Sequence, residues 1–156
     1  ALVREERVLR VNARVYWHAT HRVLKLVIVP AFPVSKRIDL VPGGPLERRR
    51  DGNEYPIQDA VSIYGEGGIT CVTADAYAAD VQGDGTIRIT LLRSPYFAHH
   101  RPAEASGLLG HPVMDQGLHE LEFALHLAGE ERREELDSII AAAHAPIVTA
   151  QTTRGM

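Results

Sequence analysis

The stretch LHELEFALHL, residues 118–127, decides the fold class, because its side chains alternate with a period of two. One side of an extended chain carries His119, Leu121, Phe123, Leu125 and Leu127, and the other side carries Glu120, Glu122, Ala124 and His126. A helix would need apolar residues three or four positions apart, whereas successive side chains of a strand point to opposite faces. The sequence therefore predicts a half-buried strand from Leu118 to Leu127.

The same period appears near the start of the chain, in VLRVNARVYW at residues 8–17. A short polar segment follows it, and then an apolar, β-branched run from Val23 to Val29, so these two segments are predicted to form a hairpin. Further predicted strands cover Ile38 to Val41, Ile69 to Thr73, Tyr77 to Val81 and Thr86 to Leu92. Short polar turns separate the last three of these ranges, which predicts two more strand pairs. The stretch from Leu46 to Pro56 is too charged and turn-rich to assign.

One segment follows a different period. Between Glu130 and Ala145 the apolar residues recur at helical spacing, acidic residues crowd the start, and Pro146 ends the run. The chain is therefore predicted to be mainly β, as a two-layer antiparallel β-sandwich of the supersandwich kind with one helix near the C-terminus.

Size and composition exclude several classes of protein. With 156 residues, the chain is predicted to form a single domain over residues 1–156. Its 17 basic and 20 acidic side chains leave a net charge of -3, which argues against a nucleic-acid partner. The longest apolar stretch is broken by Lys25, Pro30 and Pro33, so no membrane span is predicted. The single cysteine, Cys71, cannot form an internal disulfide, which favours a reducing, cytoplasmic compartment.

Three local patterns imitate metal or catalytic sites. The stretch DVQGDGTI at residues 80–87 is similar to the start of a calcium-binding loop, but Leu91 occupies the position of the bidentate glutamate. The eight histidines lack the spacing of a zinc site, and Cys71 lies in an apolar strand where a buried, inert thiol is expected. The sequence therefore predicts neither a metal site nor a catalytic centre within this chain.

The segment RSPYFAHH at residues 93–100 opens a long loop that is predicted to run from Ser94 to Gly117. It combines a forked cation, aromatic rings and two imidazoles at the exit of a strand. Such a mixture suits a sugar, whose hydroxyl groups bind arginine and imidazole while its C–H face lies on a ring. The alternative is that Arg93 pairs with an acid and Tyr96 packs, and composition alone leaves both interpretations open.

Several motifs in chain order resemble glycoside hydrolase family 38. LLRSPY at residues 91–96, AHH at 98–100 and DQGLHELEF at 115–123 resemble the region that follows the catalytic domain in the α-mannosidases of that family. VYWH at residues 15–18 and EYPIQ at 54–58 resemble, respectively, the strand pair before its middle loop and its proline- and acid-marked link. The resemblance covers nearly the whole chain.

The resemblance implies that this chain is a β-sandwich segment of a zinc-dependent, retaining α-mannosidase. In that family an amino-terminal α/β domain carries the zinc ligands and the aspartate nucleophile, so no cofactor is expected in this chain and the catalytic domain is its expected partner. The isolated chain is expected to be inactive, and the start of the sequence, with neither methionine nor signal core, indicates a piece of a longer protein.

The resemblance also implies which residues contact substrate. Arg93 fits the position of an arginine near the substrate, and Tyr96, His99, His100 and Asp115 are expected to bind mannose-containing carbohydrate because they belong to the same loop. Two other functions remain open, namely a free-standing carbohydrate-binding module and a purely structural β-module. A homo-oligomer is a further expectation, because a domain cut from a larger sandwich exposes strand edges.

Overall fold

The structure, a computed structural model, describes residues 2–3, 7–95, 113–128 and 138. The described residues contain eleven strands, and every pairing between them is antiparallel. In chain order the strands are β1 (Leu2–Val3), β2 (Val8–Trp17), β3 (Val23–Ile28), β4 (Val34–Val41), β5 (Gly44–Arg48), β6 (Tyr55–Pro56), β7 (Ala60–Gly65), β8 (Gly68–Thr73), β9 (Ala78–Val81), β10 (Ile87–Arg93) and β11 (Gly117–Ala128).

The strands form two sheets. The seven-stranded sheet has the order β1-β2-β11-β8-β7-β4-β5, and the four-stranded sheet has the order β3-β10-β9-β6. Apolar side chains from both sheets meet between them, with Val61, Ile63 and Phe123 from the larger sheet and Ile87 and Ile89 from the smaller one. The predicted two-layer antiparallel sandwich is therefore confirmed.

The strand predicted from Leu118 to Leu127 is confirmed as β11, which pairs with β2 along most of its length. The alternation in the two strands is matched, because Leu121 and Phe123 face the core opposite Ala13 and Val11. This pairing joins two segments that are far apart in the sequence.

The predicted hairpin between Val8 to Trp17 and Val23 to Val29 is wrong, because β2 and β3 lie in different sheets. The segment between them crosses from one layer to the other, and β3 pairs with β10 instead. The pair predicted between Ile69 to Thr73 and Tyr77 to Val81 is wrong for the same reason, since β8 and β9 also belong to different sheets. Of the two later pairs, the β9–β10 hairpin is confirmed.

Four strands were not predicted from the sequence: the two-residue strands β1 and β6, and the longer strands β5 and β7. The charged segment Gly44–Arg48 forms β5, which follows β4 through a tight turn at Pro42 and Gly43. The continuous run Ala60–Gly65 forms β7, which pairs with both β4 and β8. Residues 60–64 of β7 and all of β8 are buried on both faces, so neither strand shows a simple alternation of apolar and polar residues.

The helix predicted for Glu130 to Ala145 lies outside the described residues, apart from Ser138, which is helical. In the described part of the chain, no helix is long and apolar enough to cross a membrane. That residues 1–156 form one domain stays a prediction.

A buried ion pair links the two layers. The guanidinium of Arg37 on β4 donates to both carboxylate oxygens of Asp39, at 2.7 and 2.8 Å, and to the carbonyl oxygen of Ala79 on β9, at 3.1 Å. Arg37 and Asp39 are fully buried. The guanidiniums of Arg37 and Arg48 also lie over the ring of Tyr55 on β6, at 5.3 and 4.8 Å from its centre, where cation–π attraction is effective. These contacts fix β9 against the larger sheet.

Candidate functional site

Strand β10 contains a β-bulge that decides where Arg93 points. Ile87 and Ile89 face the core, so strict alternation would also turn residue 93 inward. The pairing with β3 shifts between Thr90 and Leu92, which leaves Leu91 as an extra residue. Beyond the shift, Arg93 pairs with Val23, which is 51% exposed. The bulge therefore directs Arg93 to the outer face of the four-stranded sheet.

On that outer face lies a group of charged and polar side chains, which we call the polar row: Lys25, Glu54, Asp80, Gln82, Arg88 and Thr90. Lys25 forms ion pairs with both acids of the polar row, since its Nζ lies 2.6 Å from Oδ2 of Asp80 and 2.8 Å from Oε2 of Glu54. Thr90, which faces Lys25 across the strand pair, donates its hydroxyl to the same oxygen of Glu54.

Asp80 is the buried residue to which several members of the polar row are hydrogen-bonded. Only 1% of it is exposed, and its Oδ1 accepts from Nε of Arg88 and Nε2 of Gln82, both at 2.6 Å. The residue before it, Ala79, is the one whose carbonyl binds Arg37 from the other sheet. The polar row is thus linked through β9 to the buried ion pair of the larger sheet.

The charges in the polar row stabilise one another. Hydrogen bonds from Lys25 and Thr90, together with the charges of Lys25 and Arg93, outweigh burial and lower the pKa of Glu54 below its ordinary value of 4.5. Burial would raise the pKa of Asp80, but hydrogen bonds from Lys25, Arg88 and Gln82 lower it below 3.8. Burial would lower the pKa of Lys25, but its two acidic partners raise it above 10.5. All three groups are therefore charged at neutral pH.

A second cluster, which we call the corner, holds the segment that follows Arg93. The backbone N–H of Ser94 and its hydroxyl both donate to the carbonyl oxygen of Arg22, at 3.0 and 3.1 Å, and the N–H of His21 donates to the carbonyl of Ser94 at 2.8 Å. Ser94 is almost fully buried. The crossing between β2 and β3 therefore fixes the exit of β10.

Asp115, two residues before β11, joins the corner. Its Oδ2 accepts from the backbone N–H of Arg93 at 2.9 Å, and its own φ of 55° is the left-handed conformation that aspartate tolerates at turns. Nε2 of His119 lies 2.9 Å from the carbonyl oxygen of Asp115, and the amide of Gln116 donates to the carbonyl of Ala19 at 2.9 Å. Two of the predicted site residues, Arg93 and Asp115, are thus brought together.

The other predicted site residues, Tyr96, His99 and His100, lie outside the described residues. The residues that sequence analysis missed are those of the polar row beside Arg93, above all Glu54. One signal was available, because Lys25 is the single charge in an otherwise apolar strand and needed an acidic partner on its face.

The described residues do not fit a metal site. Nowhere in residues 2–3, 7–95, 113–128 and 138 do three His, Cys, Asp or Glu side chains gather so that they could hold an ion. Both carboxylate oxygens of Asp80 are taken by Lys25, Arg88 and Gln82, which argues against the calcium-loop interpretation. Cys71 is fully buried, which confirms the prediction of a core residue, and burial raises the pKa of its thiol to about 12.

Comparison with known proteins supports one family. Residues 1–101 match the family model described as the glycosyl hydrolases family 38 C-terminal domain. The matched part is well over half of the chain, and the chain belongs to this family. No curated protein matches the chain at a significant level.

Two solved structures have a similar fold. A protein in the glycosyl hydrolase family 38 from Enterococcus faecalis aligns with a TM-score of 0.76 at 17% identity, over 98% of this chain and 18% of that chain. An alpha-mannosidase from Enterococcus faecalis V583 aligns with a TM-score of 0.69 at 17% identity, over 90% of this chain and 16% of that chain. This chain therefore spans less than a fifth of the length of either structure.

Proposed function

We propose that this chain is the non-catalytic β-sandwich part of a zinc-dependent, retaining α-mannosidase, and that its corner lends Arg93 to the active site. The catalytic α/β domain, elsewhere in the same polypeptide, is its partner, and mannose-containing carbohydrate is the ligand. The observation that carries this proposal is the position of Arg93: a β-bulge turns it outward, Asp115 accepts from its backbone N–H, and the next residue, Ser94, is bound to the carbonyl of Arg22. Membership of the family supports the proposed reaction class.

The chemistry divides between the two domains. A retaining glycosidase needs two carboxyl groups about 5 to 5.5 Å apart across the scissile bond. That pair and the zinc ion belong to the catalytic domain in this proposal. Arg93 binds: its planar guanidinium donates hydrogen bonds in a fixed fork to sugar hydroxyl groups or to an active-site carboxylate.

The cytoplasm is the compartment that we propose. It is supported by the single cysteine, which is buried and unpaired.

Replacing Arg93 in the complete polypeptide tests the proposal. Arg93→Ala removes a charge-assisted contact, so kcat/KM for an aryl α-mannoside should fall about ten- to two-hundredfold. Arg93→Lys should restore little of this loss, because lysine keeps the charge but lacks the fork. The matched control is Arg14→Ala, since Arg14 is an exposed arginine of the other sheet that pairs with Glu120 on the surface. The control should leave kcat/KM unchanged.

The result that contradicts the proposal is equally specific. If Arg93→Ala keeps at least half of the wild-type kcat/KM and only the melting temperature falls, then the chain is a structural β-module. Calorimetric titration of the isolated chain with mannose and mannobiose tests the other rival. Saturable binding without the catalytic domain would favour a free-standing carbohydrate-binding module.

A further inference from the structure

Glu54 and Arg93 lie on the same outer face of the four-stranded sheet. Thr90 and Arg93 face the same side, because their partners across the strand pair, Lys25 and Val23, are two residues apart on β3. Two residues of a strand span about 6–7 Å. The hydroxyl of Thr90 binds the carboxylate of Glu54, so that carboxylate lies one same-face step from Arg93, within reach of its long side chain.

The carboxylate of Glu54 is held in place by contacts that do not involve Arg93. Oε2 accepts from both Lys25 and Thr90 among the described residues, and Lys25 is itself tied to the almost fully buried Asp80 at 2.6 Å. Both contacts fall on Oε2, which leaves Oε1 for a further donor. The Glu54 side chain is 38% exposed, so its carboxylate is accessible to a further side chain on the outer face. The effect of the Arg93 charge on the pKa of Glu54 agrees with this placement.

We propose that Glu54 is a positioning residue for Arg93: its fixed carboxylate binds the guanidinium and orients the fork toward the sugar. A flexible arginine at an exposed strand end must lose side-chain entropy when it binds, and a neighbouring fixed carboxylate reduces that loss in advance. This inference rests on the proposed function, because Arg93 is the group through which Glu54 acts.

The experiment is a double-mutant cycle in the complete polypeptide. Glu54→Gln keeps the shape of the side chain and removes its charge, and kcat/KM for an aryl α-mannoside should fall about three- to tenfold. In the Arg93→Ala background the same change should alter kcat/KM less than about twofold, because the group that it positions is gone. The matched control is Glu47→Gln on β5, an acid of the other sheet paired with Lys36, which should have no effect.

Each outcome decides between the alternatives. A full loss from Glu54→Gln that persists in the Arg93→Ala background would show that Glu54 acts independently and overturn the inference. Wild-type activity of Glu54→Gln, while Arg93→Ala is impaired, would overturn the inference alone and leave the proposed function intact. If Arg93→Ala is itself neutral, both fail. If thermal denaturation shows that Glu54→Gln folds poorly, Thr90→Val replaces it in the same cycle. Thr90→Val removes one hydrogen bond to Glu54 and no charge. It should lower kcat/KM by a smaller factor, and this loss should again disappear in the Arg93→Ala background.

Discussion

The buried pair of Arg37 and Asp39 offers the sharpest test of how the two layers are held together. Asp39→Ala removes the partner of both guanidinium nitrogens at once, and Arg37 stays fully buried with the Ala79 carbonyl and the Tyr55 ring as its remaining contacts. Arg48, whose Nε lies 3.5 Å from Asp39, loses its acidic partner as well. The substitution therefore leaves uncompensated positive charge between the sheets.

The expected magnitude follows from this burial. Breaking a buried ion pair by removing one partner costs about 3–5 kcal/mol, a large part of the ~5–15 kcal/mol that stabilises an ordinary domain. At this chain length that loss corresponds to a fall in melting temperature of about 6–20 °C. Glu120→Ala is the matched control, since the pair of Arg14 and Glu120 is 71% and 67% exposed, and its loss should cost less than about 1 kcal/mol.

Equilibrium urea unfolding, followed by circular dichroism, measures both variants. The combined change Arg37→Met with Asp39→Leu removes both charges of the pair and should recover part of the stability, because apolar replacements of a buried pair are often neutral or stabilising, while Arg48 still lacks its acidic partner. If Asp39→Ala lost no more stability than Glu120→Ala, the pair of Arg37 and Asp39 would not be buried. The conclusion that its contacts fix β9 against the larger sheet would then be refuted.

Two further predictions concern a close backbone approach and acid stability. Gly65→Ala should reduce the free energy of unfolding by about 3 kcal/mol, because the new Cβ would lie 1.9 Å from the carbonyl oxygen of Pro33. Gly43→Ala meets no atom within 4 Å and should lose only about 1 kcal/mol through its φ of 102°, so equal losses in urea unfolding would refute the clash. The lowered pKa values of Asp80 and Glu54 stabilise the fold above their ordinary values of 3.8 and 4.5, and this contribution is lost as pH falls through the folded-state pKa values. Lys25→Met should therefore lose less stability than the wild type on acidification from pH 7 to about pH 3. Identical dependence of the unfolding free energy on pH in the two proteins would contradict the ion pairs of Lys25 in the polar row.

The fold class could be predicted from sequence because it depends on local periodicity. The alternation in β2 and β11 reflects which face each strand buries, and that pattern is visible within ten residues. Strand pairing is not visible in the same way: β2 meets β11 across the whole chain, while its neighbour in sequence, β3, crosses to the other sheet. Burial of both faces removes the alternation from β7 and from β8, and only β8 was predicted, as an apolar run beside a polar turn.

The candidate site was predictable only in part, and for a related reason. Arg93 and Asp115 belong to motifs that a resemblance can recognise, and the structure places them in contact. Glu54 lies in a charged link with no periodic signal, and its contact with Thr90, one same-face step from Arg93, depends on β6 lying in the same sheet as β10. A role that depends on which strands are neighbours cannot be inferred until the neighbours are known.

The β-bulge in β10 shows how one residue converts a core strand into part of a candidate site. Without it, the alternation that buries Ile87 and Ile89 would turn residue 93 into the apolar core, where an unpaired guanidinium costs several kcal/mol. With Leu91 inserted, Leu92 stays buried opposite Leu24 and Arg93 emerges on the face that carries Glu54 and Lys25. The insertion thus satisfies two demands that a regular strand cannot meet together: a continuous apolar core up to the strand end, and a charged side chain directed outward from that end. The hydrogen bonds of Ser94 and Asp115 fix the backbone at Arg93 and so limit the positions that its guanidinium can occupy. The bulge and the corner therefore act together to hold Arg93 on the outer face.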